Sequence, residues 1–205
     1  MTAARPTPSE LVGRFIRLAP LSESDVPALF AAIGRPEVFA GGYGGGPAGY
    51  RDTLEGFTEF ARSYYAWDTA NVYGVWVGDR LVGTSTLGDF DLPNEAAHIG
   101  WTAYDPRVWG TAVNPESKLL ILGLAFEHGF GRIKIQADAV NDRSRAAIAK
   151  LGATFEGIVR RDRPRADGTW RDSAVFSILA DEWSSVKEGL EARLESAKPI
   201  DLSHD

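Results

Sequence analysis

Residues 98–126 read HIGWTAYDPRVWGTAVNPESKLLILGLAF, and this stretch decides the fold prediction. Its first residues are those of a β-strand that ends at an Asp-Pro pair. Its second half predicts a helix over 114–128, which is the strongest helix signal in the chain. Asn114 suits a helix N-cap, Pro115 suits the first helical position, and Glu116 puts a negative charge in the first turn. The stretch therefore predicts a strand, a short loop and a helix in direct succession.

The loop between that strand and that helix is suited to hold an anion. It reads RVWGTAV over residues 107–113, with the pattern Arg107-x-x-Gly110-x-Ala112. Small residues let the backbone approach an oxygen atom closely, and the N–H groups of the loop lie at the positive end of the helix dipole. The chain has neither the GxxxxGK[ST] nor the GxGxxG phosphate motif at this point. We therefore expect an anion site of another type.

The composition excludes several classes of protein. The chain has 205 residues, with 22 Lys and Arg against 28 Asp and Glu, and a net charge of −6. This length suits one sizeable domain. The chain has no cysteine, and its histidines (His98, His128 and His204) are far apart, so we expect no metal, no disulfide and no cysteine nucleophile. The negative charge argues against nucleic acid as the main partner.

Hydrophobic periodicity divides the rest of the chain into strands and helices. Ser22 and Asp25 form a capping box that opens the first helix, and Gly78-Asp79 predicts a hairpin turn. The predicted strands cover 14–18, 72–77, 81–87, 97–104, 132–139, 153–160 and 170–179, and the later helices cover 52–67, 114–128 and 143–151. Hairpins in the middle and strand–helix units later predict a mixed α/β sheet of the α+β type.

Three segments lie outside these elements. Residues 40–49 read AGGYGGGPAG and predict a loop, either a linker or a flap that closes over a substrate site. Residues 1–10 and 196–205 are predicted to be tails. No run of 18 apolar residues occurs and the first ten residues lack a signal-peptide core, so we expect no membrane contact and a cytoplasmic location.

Two further blocks accompany the loop motif. Residues 141–157 read N-x-x-S-x-x-A-x-x-K-L-G-x-x-x-E-G, and residues 171–183 contain RDS-x-x-FSIL followed by Glu-Trp. Together with R-x-x-G-x-A, these blocks resemble the GNAT superfamily of acyl-CoA-dependent N-acetyltransferases, and the second and third are typical of its RimJ/RimL-like branch. The order and separation of the blocks also match. The resemblance extends over about residues 10–184.

The resemblance implies a fold and a cofactor. The fold is a single domain over residues 1–205, with a twisted, mostly antiparallel sheet, a splayed pair of parallel strands, flanking helices, a flexible N-terminal tail and a C-terminal helix or tail. The cofactor is acetyl-CoA as acyl donor, whose pantetheine arm lies along the splayed strand and whose pyrophosphate lies on the loop. The residues expected to bind it are Trp101, Thr102, Ala103, Arg107, Trp109, Gly110, Thr111, Ala112, Val113, Asn114, Asn141, Arg143 and Ser144.

Catalysis would require a base and an acid. Close relatives often carry Glu just before the Ile-Gly of the splayed strand, where this chain has His98. His98, or Glu95 acting through a water, is the candidate base. The tyrosine acid frequent in the superfamily is absent from residues 146–151, so Ser144 is the candidate acid.

Each of these residues also has a purely structural interpretation. His98 could be an ordinary half-exposed strand residue, and Asn141 and Ser144 could do no more than cap a helix. The aromatic side chains near the loop could belong to the core. The Arg- and Asp-rich run over 160–172 could be a solvated hairpin loop or a rim that receives a polar acceptor. Tyr64 and Tyr65 could face that acceptor.

The resemblance implies an enzyme that moves the acetyl group of acetyl-CoA to a primary amine, on a small molecule or at a peptide or protein N-terminus. The absence of cysteine closes a route through an acetyl-cysteine, so direct attack in a ternary complex is expected. A homodimer is also expected from the family. The alternative is a non-catalytic CoA-binding or regulatory module of the same fold.

Overall fold

The computed structural model describes residues 2–197 and 199–202, which form one eight-stranded sheet flanked by helices. The strands are β1 (Leu11–Val12), β2 (Arg17–Pro20), β3 (Asn71–Val77), β4 (Arg80–Asp91), β5 (Ala96–Tyr104), β6 (Arg132–Asp138), β7 (Thr154–Pro164) and β8 (Trp170–Leu179). The helices are α1 (Val26–Ile33), α2 (Pro36–Ala40), α3 (Leu54–Tyr64), α4 (Val113–Glu127), α5 (Asp142–Ala149) and α6 (Trp183–Glu195).

The sheet has the strand order β1-β2-β3-β4-β5-β6-β8-β7. Every neighbouring pair is antiparallel except β5 and β6, which run parallel. Adjacent residues of a strand point to opposite faces, and accordingly Val72 belongs to the apolar cluster that includes α1 and α3, whereas Tyr73 belongs to the cluster that includes α4 and α6. The predicted mixed fold with one parallel pair is confirmed.

Several boundaries differ from the prediction. Helix α4 begins at Val113 with Ala112 at its N-cap, so Asn114 lies inside the first turn and does not cap it. The Oγ1 of Thr111 accepts a hydrogen bond from the Val113 N–H at 3.3 Å and supplies the side-chain oxygen expected from Asn114. Periodicity missed β1 and α2, which are only 2 and 5 residues long, and such short segments carry little periodicity. It also missed α6, which the family resemblance alone implied as a C-terminal helix or tail.

The glycine-rich segment 40–49 is folded and packed, which corrects the linker interpretation. It forms two short 3-10 turns, Tyr43–Gly45 and Pro47–Gly49. The Tyr43 ring is buried against the ring of Tyr64, with the centroids 5.2 Å apart. At Gly44, φ is +60° and a Cβ atom would lie 2.8 Å from the Phe39 ring, so glycine is required there by both conformation and space. Closure of this segment over a substrate stays a prediction.

Residues 2–10 form neither helix nor strand but are anchored to the segment before β3, which corrects the expectation of a flexible tail. The Arg5 guanidinium donates to the carbonyls of Asp68 at 3.0 Å and Ala70 at 3.1 Å. Near the other end, Ile200 and Leu202 pack against the core. The predicted C-terminal tail lies outside the described residues at positions 198 and 203–205. Within the described ranges, no helix has the length and hydropathy needed to cross a membrane.

The carboxylate of Glu116, on the first turn of α4, holds the turn between β1 and β2. It accepts hydrogen bonds from the backbone N–H groups of Arg14 at 2.7 Å, and of Phe15 and Ile16 at 2.8 Å. Gly13 lies so close that a Cβ atom there would be 2.5 Å from the Glu116 carboxyl carbon. This buried contact connects the edge of the sheet to the helix that borders the cleft described below.

We predict that Glu116→Gln lowers the free energy of unfolding by about 2 to 3 kcal/mol, because the amide has one acceptor oxygen and its NH2 group would face a backbone donor. Urea denaturation provides the measurement. Glu127→Gln is the matched control, because Glu127 is exposed on the same helix and its substitution should change stability by less than about 0.5 kcal/mol. Equal stability of the two variants would contradict this role of Glu116.

Candidate functional site

The parallel strands β5 and β6 separate halfway along their length. They pair only over Ala96–Ile99 and Arg132–Ile135. Beyond that point the pairing of β5 with β4 has a bulge, in which Trp101 and Thr102 both lie opposite Ser85. Trp101 has φ +48°, which is unusual for a residue with a side chain. Because a bulge bends its strand, β5 leaves β6, and beyond Ile99 the edge of β5 that faces β6 has no strand partner in the part of the chain that the structure describes.

A cavity of about 300 Å³ lies in the gap between the two strands. Its walls include the end of β5, the end of β6, the start of α5 and the loop before α4. Of the residues expected to bind acetyl-CoA, those that line this cavity are Trp101, Thr102, Ala103, Trp109, Gly110, Asn114, Asn141, Arg143 and Ser144. Residues that are 40 positions apart in the chain therefore meet at one cleft.

The other residues of the expected cofactor loop do not line the cavity with their side chains. Arg107 forms an ion pair with the buried Asp105 at 2.7 Å, and Thr111 donates to the Val108 carbonyl at 2.6 Å. The side chains of Ala112 and Val113 are buried. These four residues stabilise the loop, and their contribution to an anion site would come from backbone N–H groups rather than from side chains.

In the opposite wall of the cavity, residues at the start of α5 both cap that helix and line the cavity. Asn141 is the N-cap of α5, and its Oδ1 accepts from the Ser144 N–H at 3.0 Å. Its Nδ2 donates to the carbonyl of Gly41, which connects α5 to the glycine-rich segment. The guanidinium carbon of Arg143 lies 3.7 Å from the centroid of the Trp109 ring. This cation–π contact crosses the cleft between α5 and the loop before α4.

His98 lies buried on β5 and faces a second cavity of about 470 Å³ that meets the first at Gly100 and Trp101. Its Nδ1 lies 3.0 Å from Oδ2 of Asp89, and its Nε2 has no hydrogen-bond partner among the described residues. Burial lowers the pKa of His98 below its ordinary 6.5, although the hydrogen bond to Asp89 opposes the shift. The neutral ring then donates from Nδ1 to Asp89 and presents the Nε2 lone pair to the cavity.

Glu95, the other candidate base, lies away from both cavities. It occupies the turn between β4 and β5 with φ +51°, and its backbone carbonyl accepts from the N–H of Gly131 at 2.7 Å. Its side chain is exposed and lines neither cavity. A base role for Glu95 therefore has no support in the geometry, because the turn directs it to the end of β5 opposite the cleft.

Lys118 is a site residue that the sequence analysis missed. Its side chain reaches from α4 to the underside of the bulge, where Nζ donates to Thr102 Oγ1 at 2.8 Å and to Ser85 Oγ at 2.9 Å. Burial lowers the pKa of Lys118 to about 7. It lines the first cavity. A sequence signal was available, because Lys118 is followed directly by the apolar run LLILGLAF.

The lowered pKa predicts how stability depends on pH. An unfolded lysine keeps its proton up to about pH 10.4, whereas folded Lys118 releases its proton from about pH 7. The unfolded state therefore binds more protons between these values, and the free energy of unfolding should rise by on the order of 1 kcal/mol per pH unit between pH 7 and 9. Urea denaturation across this range should detect the rise in the native chain and in Lys187→Met, whose lysine is half-exposed on α6.

Lys118→Met should remove most of this rise, because it removes the titrating group. If the free energy of unfolding of Lys118→Met and Lys187→Met depended on pH in the same way, the lowered pKa of Lys118 would be refuted.

The described residues contain no cluster of three or more His, Cys, Asp or Glu side chains that could hold a metal ion. The cleft is bordered by a strand edge, a loop before a helix, and isolated polar side chains. Such an arrangement can bind an extended ligand along the edge and an anion at the helix end.

Comparison with known proteins identifies this architecture. Residues 16–154 match the family model described as an acetyltransferase (GNAT) domain, which is more than half of the chain. A candidate acetyltransferase from T. thermophilus is 30% identical, with a TM-score of 0.84 over 93% of this chain and 100% of that chain. No curated protein matches the chain.

More distant structures share the fold. A GCN5-related N-acetyltransferase from Brucella melitensis is 24% identical, with a TM-score of 0.85 over 98% of this chain and 94% of that chain. Mycobacterium smegmatis RimJ in complex with CoA-disulfide is 20% identical, with a TM-score of 0.70 over 87% of this chain and 88% of that chain. The fold, the cleft and the matched family model agree, and the chain belongs to the GNAT family of acetyltransferases.

Proposed function

We propose that the chain transfers the acetyl group of acetyl-CoA to a primary amine by direct attack in a ternary complex. The observation that carries this proposal is the gap between β5 and β6, which has an unpaired strand edge on one side and the buried, neutral His98 at its end. The family uses acetyl-CoA, and the first cavity offers an extended ligand a path from the loop before α4 to the bulge.

The cofactor would bind mainly to the backbone. The pantetheine amides would hydrogen-bond to the free edge of β5 at Trp101, Thr102 and Ala103, as an added strand would. The pyrophosphate would lie at Gly110 and the N-terminus of α4, where φ of Gly110 is +77° and a Cβ atom would meet nothing. Asn141, Arg143 and Ser144 would contact the cofactor from the other side of the cleft.

The chemistry needs a base for the ammonium and an acid for the thiolate. We assign the base to His98, whose free Nε2 would take a proton from the acceptor ammonium. The amine nitrogen then attacks the thioester carbonyl carbon, an N–H group of β5 stabilises the oxyanion, and the carbon–sulfur bond breaks. Ser144 would give a proton to the leaving thiolate and take one from the new amide nitrogen, which must lose its second proton. Asp89 holds the His98 ring in the tautomer that this scheme requires.

The branch of the family and the type of acceptor stay proposals. Residues 141–157 and 171–183 support the RimJ/RimL-like branch, whereas the matched RimJ structure is too distant to support more than the fold. The acceptor would be a small-molecule amine or a peptide or protein N-terminus. A homodimer, a cytoplasmic location and the lack of a nucleic-acid partner remain predictions from the sequence.

A turnover assay tests the function. Thermal stability is measured with acetyl-CoA, CoA and ATP, and CoA release is then followed with a panel of primary amines. We expect stabilisation by acetyl-CoA and CoA but not by ATP, and CoA release with at least one amine. The absence of a shift with acetyl-CoA would refute the cofactor assignment. A shift without turnover on any amine would favour the non-catalytic CoA-binding module.

We predict that His98→Gln lowers kcat about 100- to 1,000-fold, because it removes the base. Stabilisation by acetyl-CoA should persist. Because burial lowers the pKa of His98, kcat/KM of the native chain should fall only at a pH below the ordinary histidine value of 6.5, and this loss should be absent in the variant. His128→Gln is the control, because His128 contacts the Leu124 carbonyl at the end of α4, outside both cavities. Full activity of His98→Gln would remove His98 as the base.

We predict that Gly110→Asp abolishes stabilisation by acetyl-CoA, because a carboxylate would repel the pyrophosphate and a side chain would strain the backbone at φ +77°. Gly78→Asp provides the matched control, since Gly78 also has a positive φ of +56° and open space but lies in the β3–β4 turn. Thermal shift assays with both variants separate backbone strain from ligand repulsion. An unchanged shift in Gly110→Asp would refute the loop assignment.

A further inference from the structure

The second cavity lies where an acceptor would approach the thioester. It is bounded by the glycine-rich segment on one side and by the β7–β8 hairpin on the other, and the N–H of Ala166 donates to the Gly45 carbonyl at 3.1 Å to join the two. His98 Nε2, which has no partner among the described residues, faces this cavity. The cavity thus places a buried base next to the hairpin.

Two arginines of the hairpin face each other across the strand pair. Arg163 on β7 lies directly opposite Arg171 on β8, and both side chains line the second cavity. Like charges directly opposite each other on neighbouring strands destabilise a sheet. Burial of Arg171 increases the cost, because the surrounding medium screens the repulsion less than water does. An anion held between the two guanidinium groups would remove this cost.

The nearby carboxylates of Asp138 and Asp162 favour the charged form of Arg171, but each has a closer partner. Asp138 pairs with Arg165 at 2.7 Å, Asp162 accepts from the hydroxyl of Ser173 at 2.6 Å, and Asp89 contacts His98.

Among the described residues, no carboxylate oxygen lies at hydrogen-bond distance from Arg163, and its ion pairs with Asp162 at 3.7 Å and Asp89 at 4.0 Å are long. Arg171 uses its Nε for Ser173 Oγ at 3.0 Å, and its two terminal nitrogens have no hydrogen-bond partner among the described residues.

We propose that the acceptor amine carries an oxyanion group, a carboxylate or a phosphate, and that Arg163 and Arg171 bind this group while the amine faces His98. The proposal rests on the proposed acetyl transfer. A guanidinium offers parallel N–H donors whose spacing matches both carboxylate and phosphate oxygens. The arginines thereby select the acceptor through hydrogen bonds and charge, without any covalent step.

The test uses matched pairs of amines that differ in the anionic group. Phenylalanine is compared with phenylalaninamide for the carboxylate, and phosphoethanolamine with ethanolamine for the phosphate. CoA release gives kcat and KM for each acceptor. Calorimetric binding of the same amines to the CoA-bound protein gives an affinity that needs no turnover. We expect the anionic member of at least one pair to have a kcat/KM about 10- to 100-fold higher.

Arg171→Gln and Arg163→Gln should remove this advantage through a higher KM for the anionic amine. The KM for acetyl-CoA should stay unchanged in Arg163→Gln, because Arg163 lines the second cavity and not the first. Arg160→Gln, on the same strand but outside both cavities, is the control and should behave like the native chain. Arg171→Lys should recover only part of the advantage, because it keeps the charge but loses the paired donors.

The outcomes of these experiments distinguish the proposal of an anionic acceptor from the proposed acetyl transfer on which it rests. Equal turnover of neutral and anionic amines, or an anionic preference that survives both glutamine substitutions, overturns the inference and leaves acetyl transfer intact. Arginine-dependent binding of the anionic amines without any CoA release supports the inference and contradicts the proposed function. A failure of both binding and turnover on every amine overturns both.

Discussion

The structure depends on one constraint, which is that β5 and β6 must separate after Ile99 while each stays in the sheet. The bulge at Trp101 bends β5 away, yet β5 remains bonded to β4, and β6 remains bonded to β8 as far as Asp138. The outer neighbours therefore hold the gap open, so no rearrangement is needed to expose a strand edge. Both cavities meet at this point of divergence.

Helix α4 packs against one face of the sheet and stabilises the point where β5 and β6 separate. Glu116 connects its first turn to the edge of the sheet, and Lys118 donates to Ser85 and Thr102, which lie opposite each other at the bulge. These contacts fill the space under a bent strand with hydrogen-bonded polar groups rather than apolar packing. Because a buried polar group without a partner is costly, they also favour one geometry of the bulge. The helix whose N-terminus faces the first cavity thus also fixes the strand along which a cofactor would lie.

Local patterns in the sequence were enough to predict most of the fold and part of the site. The run from strand to loop to helix over 98–126, together with the blocks at 141–157 and 171–183, identified the family and located Trp109, Gly110 and Ser144 at the cleft. Features that depend on non-local register could not be predicted.

Asp89 reaches His98 only because of an irregularity in the β4–β5 pairing, and the opposition of Arg163 and Arg171 is set by the pairing of β7 and β8. Glu95 was placed wrongly near the site for the same reason, since proximity in the chain does not reveal which end of a strand reaches the cleft. The central claim is that acetyl-CoA lies in the gap between β5 and β6. A crystal structure of the chain with CoA tests it most directly: we predict the pantetheine along residues 101–103 and the pyrophosphate at Gly110 and the start of α4. CoA bound elsewhere, with the free edge of β5 in contact with solvent alone, would contradict the account.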